Sequence, residues 1–277
     1  MSETAELLRP GRDGRPRIDD SRAVLLALQA ALDRGDEDLA AELLAGAPER
    51  FAERVEPTLR TVPAGDFAMG SEPEAARRFC GEAPRHDVTL SAFRIASVPV
   101  TNRLYGLLDP RRLDVPRADL DKPVVDVTWF DATLFALWVG CRLPTEAQWE
   151  RACGAGSTGE WCCGDEARLR DYAWFSETSE GKLRAVGGLE ANALGLFDMH
   201  GNVWEWCADV YDEDFYAVSP RRDPVNDAPA SADLHRVARG GSLHSLAEMC
   251  RTRYRLHDPP EMWAFDLGFR LAAKEHS

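Results

Sequence analysis

Two features of this sequence hold side chains that could do chemistry. One is the run Ala193-Leu-Gly-Leu-Phe-Asp-Met-His-Gly-Asn-Val-Trp-Glu-Trp-Cys-Ala-Asp-Val-Tyr211, in which Trp204 and Trp206 stand on either side of Glu205. Two large apolar rings at alternate positions suit an extended segment with one buried face. A carboxylate between them is costly unless it is paired, hydrogen-bonded or bound to a cation. Asp198, the turn His200-Gly201-Asn202 and Glu205 could converge oxygens on a hard ion such as calcium, which takes carboxylates together with backbone carbonyls. The alternative is a turn leading into a capped strand with no ion, because one aspartate and one glutamate fall short of a full ligand set. The other feature is Cys162-Cys163, a vicinal pair open to a redox or metal role or to a loop accident.

The 277 residues can bury a substantial core, and 44% hydrophobic with 29% charged residues is a globular composition. A formal net charge of −14 repels a phosphate backbone, so nucleic-acid binding is disfavoured. The densest basic run, Arg251-Thr-Arg-Tyr-Arg255, alternates and reads as one face of a strand. No apolar run opens the chain and no stretch is long enough to span a bilayer, so a cytoplasmic protein without membrane contacts is expected. Seven cysteines without paired CxxC spacing announce neither a disulfide framework nor a structural zinc site. His200, His235 and His257 show no ligand spacing either.

The elements that must position these groups fall into three stretches. Residues 1–19 are polar and read as a flexible tail. Residues 20–57 read as a small helical hairpin, with Leu25, Leu28 and Leu32 and then Leu39 and Leu43 at helical spacing, whose apolar stripe docks on the main domain or on a partner. Residues 58–277 change character to short apolar runs, tryptophans and frequent Gly and Pro. Strands are expected over 60–70, broken at Pro63-Ala-Gly65, and over His86–Phe93. Helices are expected after Asn102, over Trp129–Val139 and from Thr145. There Gln148 completes the spacing of a capping box. Helices early and many short strands with long loops later predict an α+β fold.

Seven segments occur in one order: Gly65-Asp-Phe-Ala-Met-Gly70, Pro99-Val-Thr-Asn102, Pro123-Val-Val-Asp-Val-Thr-Trp-Phe-Asp-Ala132, Arg142-Leu-Pro-Thr-Glu-Ala-Gln-Trp-Glu150, the run Asn192–Trp206, Arg239-Gly-Gly-Ser242 and Gly268-Phe-Arg270. In these the chain resembles the formylglycine-generating-enzyme, or sulfatase-modifying-factor, domain over roughly residues 58–273. The resemblance implies an irregular variant of the C-type-lectin-like fold, often calcium-stabilised. It also implies an oxygen-dependent oxidation of a cysteine in a client sulfatase, using copper held by two cysteines.

Carried over residue by residue, the resemblance makes Asp198 and Glu205 side-chain ligands of calcium, with carbonyls from Gly201 and Val203. It places Ser242 and Trp204 along a substrate groove, with His244 beside them. The second copper cysteine matches Cys250, but the first is Ser245, whose hydroxyl is a poor ligand for Cu(I). His244 or Met249 could substitute as a ligand. Relatives that make sulfur–carbon bonds carry a three-histidine iron motif in an added helical domain, and residues 1–57 contain no histidine. The expectation is therefore a peptide- or protein-binding member with no usual copper site, Cys250 being a buried structural thiol. The alternative is an altered oxidoreductase using Cys250, Ser245 and Ser242.

Overall fold

The computed structural model describes residues 21–33, 54–72, 81–227 and 234–275. The expected flexible tail and the second helix of the expected hairpin lie outside the described residues. The hairpin's first helix, α1 (Ser21–Asp33), buries Val24, Leu25, Leu28 and Ala31 in one core cluster. That stripe packs on α3 (Trp129–Trp138), and Arg22 reaches Glu261 at 2.8 Å.

Among the described residues nine short strands form three small sheets. β1 (Leu59–Val62) and β9 (Ala272–Lys274) flank β4 (Phe93–Ala96), so the two ends of the domain meet in one sheet. β2 (Gly65–Met69) and β3 (His86–Leu90) make an antiparallel hairpin. The expected strand over 86–93 is thus two strands belonging to different sheets. The third sheet runs β7 (Leu256–Asp258), β6 (Arg236–Arg239), β5 (Trp204–Val210) and β8 (Leu267–Gly268). β5 pairs antiparallel with β6 and parallel with β8. Burial of all but one residue of β5 corrects the expectation of a single buried face. A central strand covered on both sides carries no alternation to read.

Helix starts follow capping chemistry. α4 (Glu146–Gly154) begins at Thr145, whose hydroxyl accepts from Gln148 N–H at 3.2 Å while Gln148 Oε1 accepts from Thr145 N–H. α3 has the equivalent box at Thr128 and Asp131. α2 (Asn102–Tyr105) and α5 (Phe215–Val218) are single turns. The long span 155–203 contains a short 3-10 turn and otherwise irregular backbone. It is held by a web of backbone bonds such as Asn202 N–H to Trp174 O at 2.6 Å and Glu190 N–H to Asp171 O at 2.8 Å.

The run Arg251–Arg255 is not a strand. It forms a turn after a 3-10 helix, because Arg251 and Arg255 are drawn inward to buried carboxylates. Arg251 forks onto Glu82 at 2.7 and 3.1 Å, and Arg255 forks onto Glu146 at 2.7 and 2.8 Å. Arg239, fully buried, pairs with Glu150 and lies 3.6 Å from Glu146. The basic cluster is thereby spent inside the fold.

Candidate functional site

Glu205, on the central strand β5, is fully buried. Arg270 answers it, donating from Nε to Oε2 at 2.6 Å and from Nη2 to Oε1 at 2.7 Å. Trp149 Nε1 adds a third donor at 2.8 Å. Arg270 also donates to the carbonyls of Ala96, at 3.1 Å, and Phe197, at 3.0 Å, tying β5 to the end of β4 and to the irregular span that precedes β5. The bidentate fork is the strong form of an ion pair, and here every partner is desolvated.

Two further members of the expected calcium set, Asp198 and Gly201, are also engaged. Asp198 adopts a left-handed φ of 55° and accepts from Gly187 N–H at 2.7 Å. Burial above all, with the nearby Glu205 charge adding to it, pushes its carboxyl up to about 6. The Gly201 carbonyl accepts from Val203 N–H at 2.9 Å. Glycine is required at 201, since φ is 107° and a Cβ there would stand 2.3 Å from the Trp174 carbonyl oxygen. A calcium ion beside Glu205 would sit against the Arg270 guanidinium. The donor set Asp198, Gly201, Val203 and Glu205 therefore does not fit the ion, and the cationic role expected of calcium falls to Arg270.

Ser242, His244 and Ser245 follow β6 in a turn, and Cys250 ends the 3-10 helix after it. Ser242 N–H donates to Ser245 Oγ at 2.9 Å, Ser245 N–H donates to the Ser242 carbonyl at 3.0 Å, and the two hydroxyls lie 3.3 Å apart. Ser242 and Ser245 are buried, and Cys250 is fully so. The Cys250 sulfur lies beneath Gly241, where an added Cβ would meet it at 2.5 Å. Burial pushes the Cys250 thiol up to about 12. A protonated thiol and a hydroxyl that accepts a backbone N–H do not make a Cu(I) site. His244 does not rescue it: it is exposed and its ring meets Phe265 edge-on at 5.5 Å.

His200 links this turn to the vicinal cysteines. Its Nδ1 lies 2.8 Å from the Cys250 carbonyl and its Nε2 accepts from Cys162 N–H at 3.1 Å. Burial lowers its pKa to about 4, so the neutral ring donates at one nitrogen and accepts at the other. Cys162 and Cys163 are thiols raised by burial, and neither shows the depressed value of a reactive cysteine.

Trp204, expected in a groove, is 6% exposed and packs on Tyr254 at 5.8 Å. The exposed surface near the turn comes instead from residues that drew no attention in the sequence. Met262, Trp263 and Phe265 are 43%, 62% and 57% exposed, and Leu246 is likewise exposed. The backbone beneath these side chains is pinned. Trp129 N–H donates to Pro260 O, Asp126 N–H to Ala264 O and Trp204 N–H to Asp266 O, at 3.0, 3.0 and 2.8 Å. Three large apolar groups in one loop without periodicity, with Leu246 from another, leave no signal that sequence patterning detects.

The model of the sulfatase-modifying factor enzyme 1-like domain matches residues 45–275. The chain belongs to the sulfatase-modifying-factor family. The matched domain starts 13 residues before position 58, taking in the last part of the expected hairpin. The formylglycine-generating enzyme of Streptomyces coelicolor is 31% identical, over 76% of this chain and 87% of the relative. The Chlamydia caviae serine/threonine-protein kinase pkn1 is 35% identical over 76% of this chain but only 37% of its own length, so the chain spans well under half of that relative. The solved structure of PvdO from Pseudomonas aeruginosa superposes with a TM-score of 0.68 at 26% identity, covering 78% of this chain and 94% of PvdO. The fold is the C-type-lectin-like α+β fold of this family.

Proposed function

We propose that this family member binds a peptide or protein segment rather than oxidising a cysteine through copper, in a reducing compartment such as the cytoplasm. The observation that carries this reading is the pinned loop with Met262, Trp263 and Phe265 turned outward next to His244. Exposed aromatic rings on an ordered backbone bind with little ordering cost, and such patches mark interaction sites. The six cysteines of the described residues are free, which suits a reducing environment.

Selection of a random peptide library on the protein tests the reading. Wild type should enrich a recurrent motif whose peptides bind, and a Trp263→Ala/Phe265→Ala double variant with unchanged unfolding temperature should lose that binding. Equal enrichment on the double variant, or none on wild type, would overturn it. The second reading is an oxidoreductase of the formylglycine-generating type. The 31% identical relative and the retained Cys250 favour it, while Ser245 and the raised Cys250 thiol oppose it.

A further inference from the structure

We propose that His235 and His257 form an open binding site for a divalent transition metal of tetragonal preference, copper(II) or nickel(II). The two histidines stand 22 positions apart and share no motif, yet the pairing of β6 with the edge strand β7 brings their Nδ1 atoms to 2.8 Å. Two nitrogens at that separation, each about 2.0–2.1 Å from one ion, subtend roughly 85–90° at the metal. That is the cis angle of square-planar or octahedral coordination, the geometry of Cu(II) and Ni(II). A tetrahedral zinc site would need the nitrogens about 3.3 Å apart.

The pair is held in place from Tyr211. Its backbone N–H donates to the His235 carbonyl at 2.9 Å, and its ring stacks on His257 at 3.8 Å between centroids. The stack holds the His257 ring, while the backbone bond holds only the main chain of His235, whose exposed ring turns from its hydrogen bond so that both Nδ1 lone pairs meet on the ion. The site is reachable, since His235 is exposed and His257 half-buried. In the free protein one Nδ1 carries the proton shared between the rings. Coordination through both Nδ1 atoms moves that proton to Nε2 of the same ring, so no net proton is lost. At His257 burial, then His235 and Arg255, work against a positive charge, with Glu213 favouring it, while the Asp258 carboxylate interacts with His235. Among the described residues no three His, Cys, Asp or Glu side chains converge on one point, so solvent fills the remaining positions.

The test is calorimetric titration of the full chain with Ni(II), joined by electron paramagnetic resonance of the Cu(II) form. Wild type should take one ion per chain with a two-nitrogen equatorial signature. His257→Phe, which keeps the stack on Tyr211, and His235→Ala should each bind about tenfold or more weakly, with near-ultraviolet circular dichroism unchanged. Binding of equal strength in wild type and both variants would place the ion elsewhere and overturn the proposal. Failure of wild type to bind either ion would do the same.

Discussion

Ser245, Cys250 and His200 divide one small region between them, and each is explained by where its polar atoms go. Ser245 is locked by the Ser242 amide, and Cys250 is a buried thiol beneath Gly241. His200 spans Cys250 and Cys162 as a neutral ring. Its folded pKa, about 4, lies below the ordinary 6.5, so between those values the unfolded chain binds a proton that the native chain refuses. The stability it contributes is complete above pH 6.5 and is lost as pH falls through 4, about 3 kcal/mol in all. Asp209, raised to about 7 by burial and by Glu146, acts with the opposite sign over pH 4–7. A His200→Gln variant isolates the histidine. Relative to wild type, its unfolding free energy should rise as pH drops from 7 to 4.5 in denaturant titrations, and a difference independent of pH would contradict this assignment.

At the level of elements, β5 is tied to α4 and to the segment after β8 by the triad Trp149–Glu205–Arg270. Removing one member of a buried ion pair strands the other charge, so Arg270→Ala should cost roughly 3–5 kcal/mol. Glu205→Gln with Arg270→Met, which removes both charges, should cost distinctly less. Because Arg270 supplies the positive charge, added calcium or a chelator should leave the unfolding temperature unchanged. A rise of several degrees with calcium would return the ion to Asp198 and Glu205. Much at this scale was legible from residue types. Thr145 with Gln148 announced α4, and Pro63-Ala-Gly65 announced the break between β1 and β2. The run Glu205–Trp206 announced a strand but not its partner, because pairing with Arg270 crosses 65 positions and depends on sheet order. The same limit hid the meeting of His235 with His257 and turned Arg251–Arg255 from an expected strand into a set of inward anchors.

The molecule as a whole keeps the family's fold, and at the position where the family resemblance implies the first copper cysteine stands Ser245, bonded to the Ser242 amide. The ordered motifs carried the family because most are packing requirements: Gly201 against Trp174, Gly241 against Cys250, Arg270 on Glu205. Activity does not follow from that packing, since function resides in the site and not in the fold. The outward loop at Met262–Phe265 was not legible, because exposed apolar residues without periodicity look like any loop. The central claim is that this framework no longer holds a two-thiolate copper site. Anaerobic Cu(I) competition against a chromogenic chelator, run on wild type, Cys250→Ala and Ser245→Cys, tests it most directly. Wild type and Cys250→Ala should compete equally, leaving any imidazole-bound copper as a common background, and Ser245→Cys should gain a tight one-to-one site. Tight one-to-one binding by wild type that disappears in Cys250→Ala would contradict the claim.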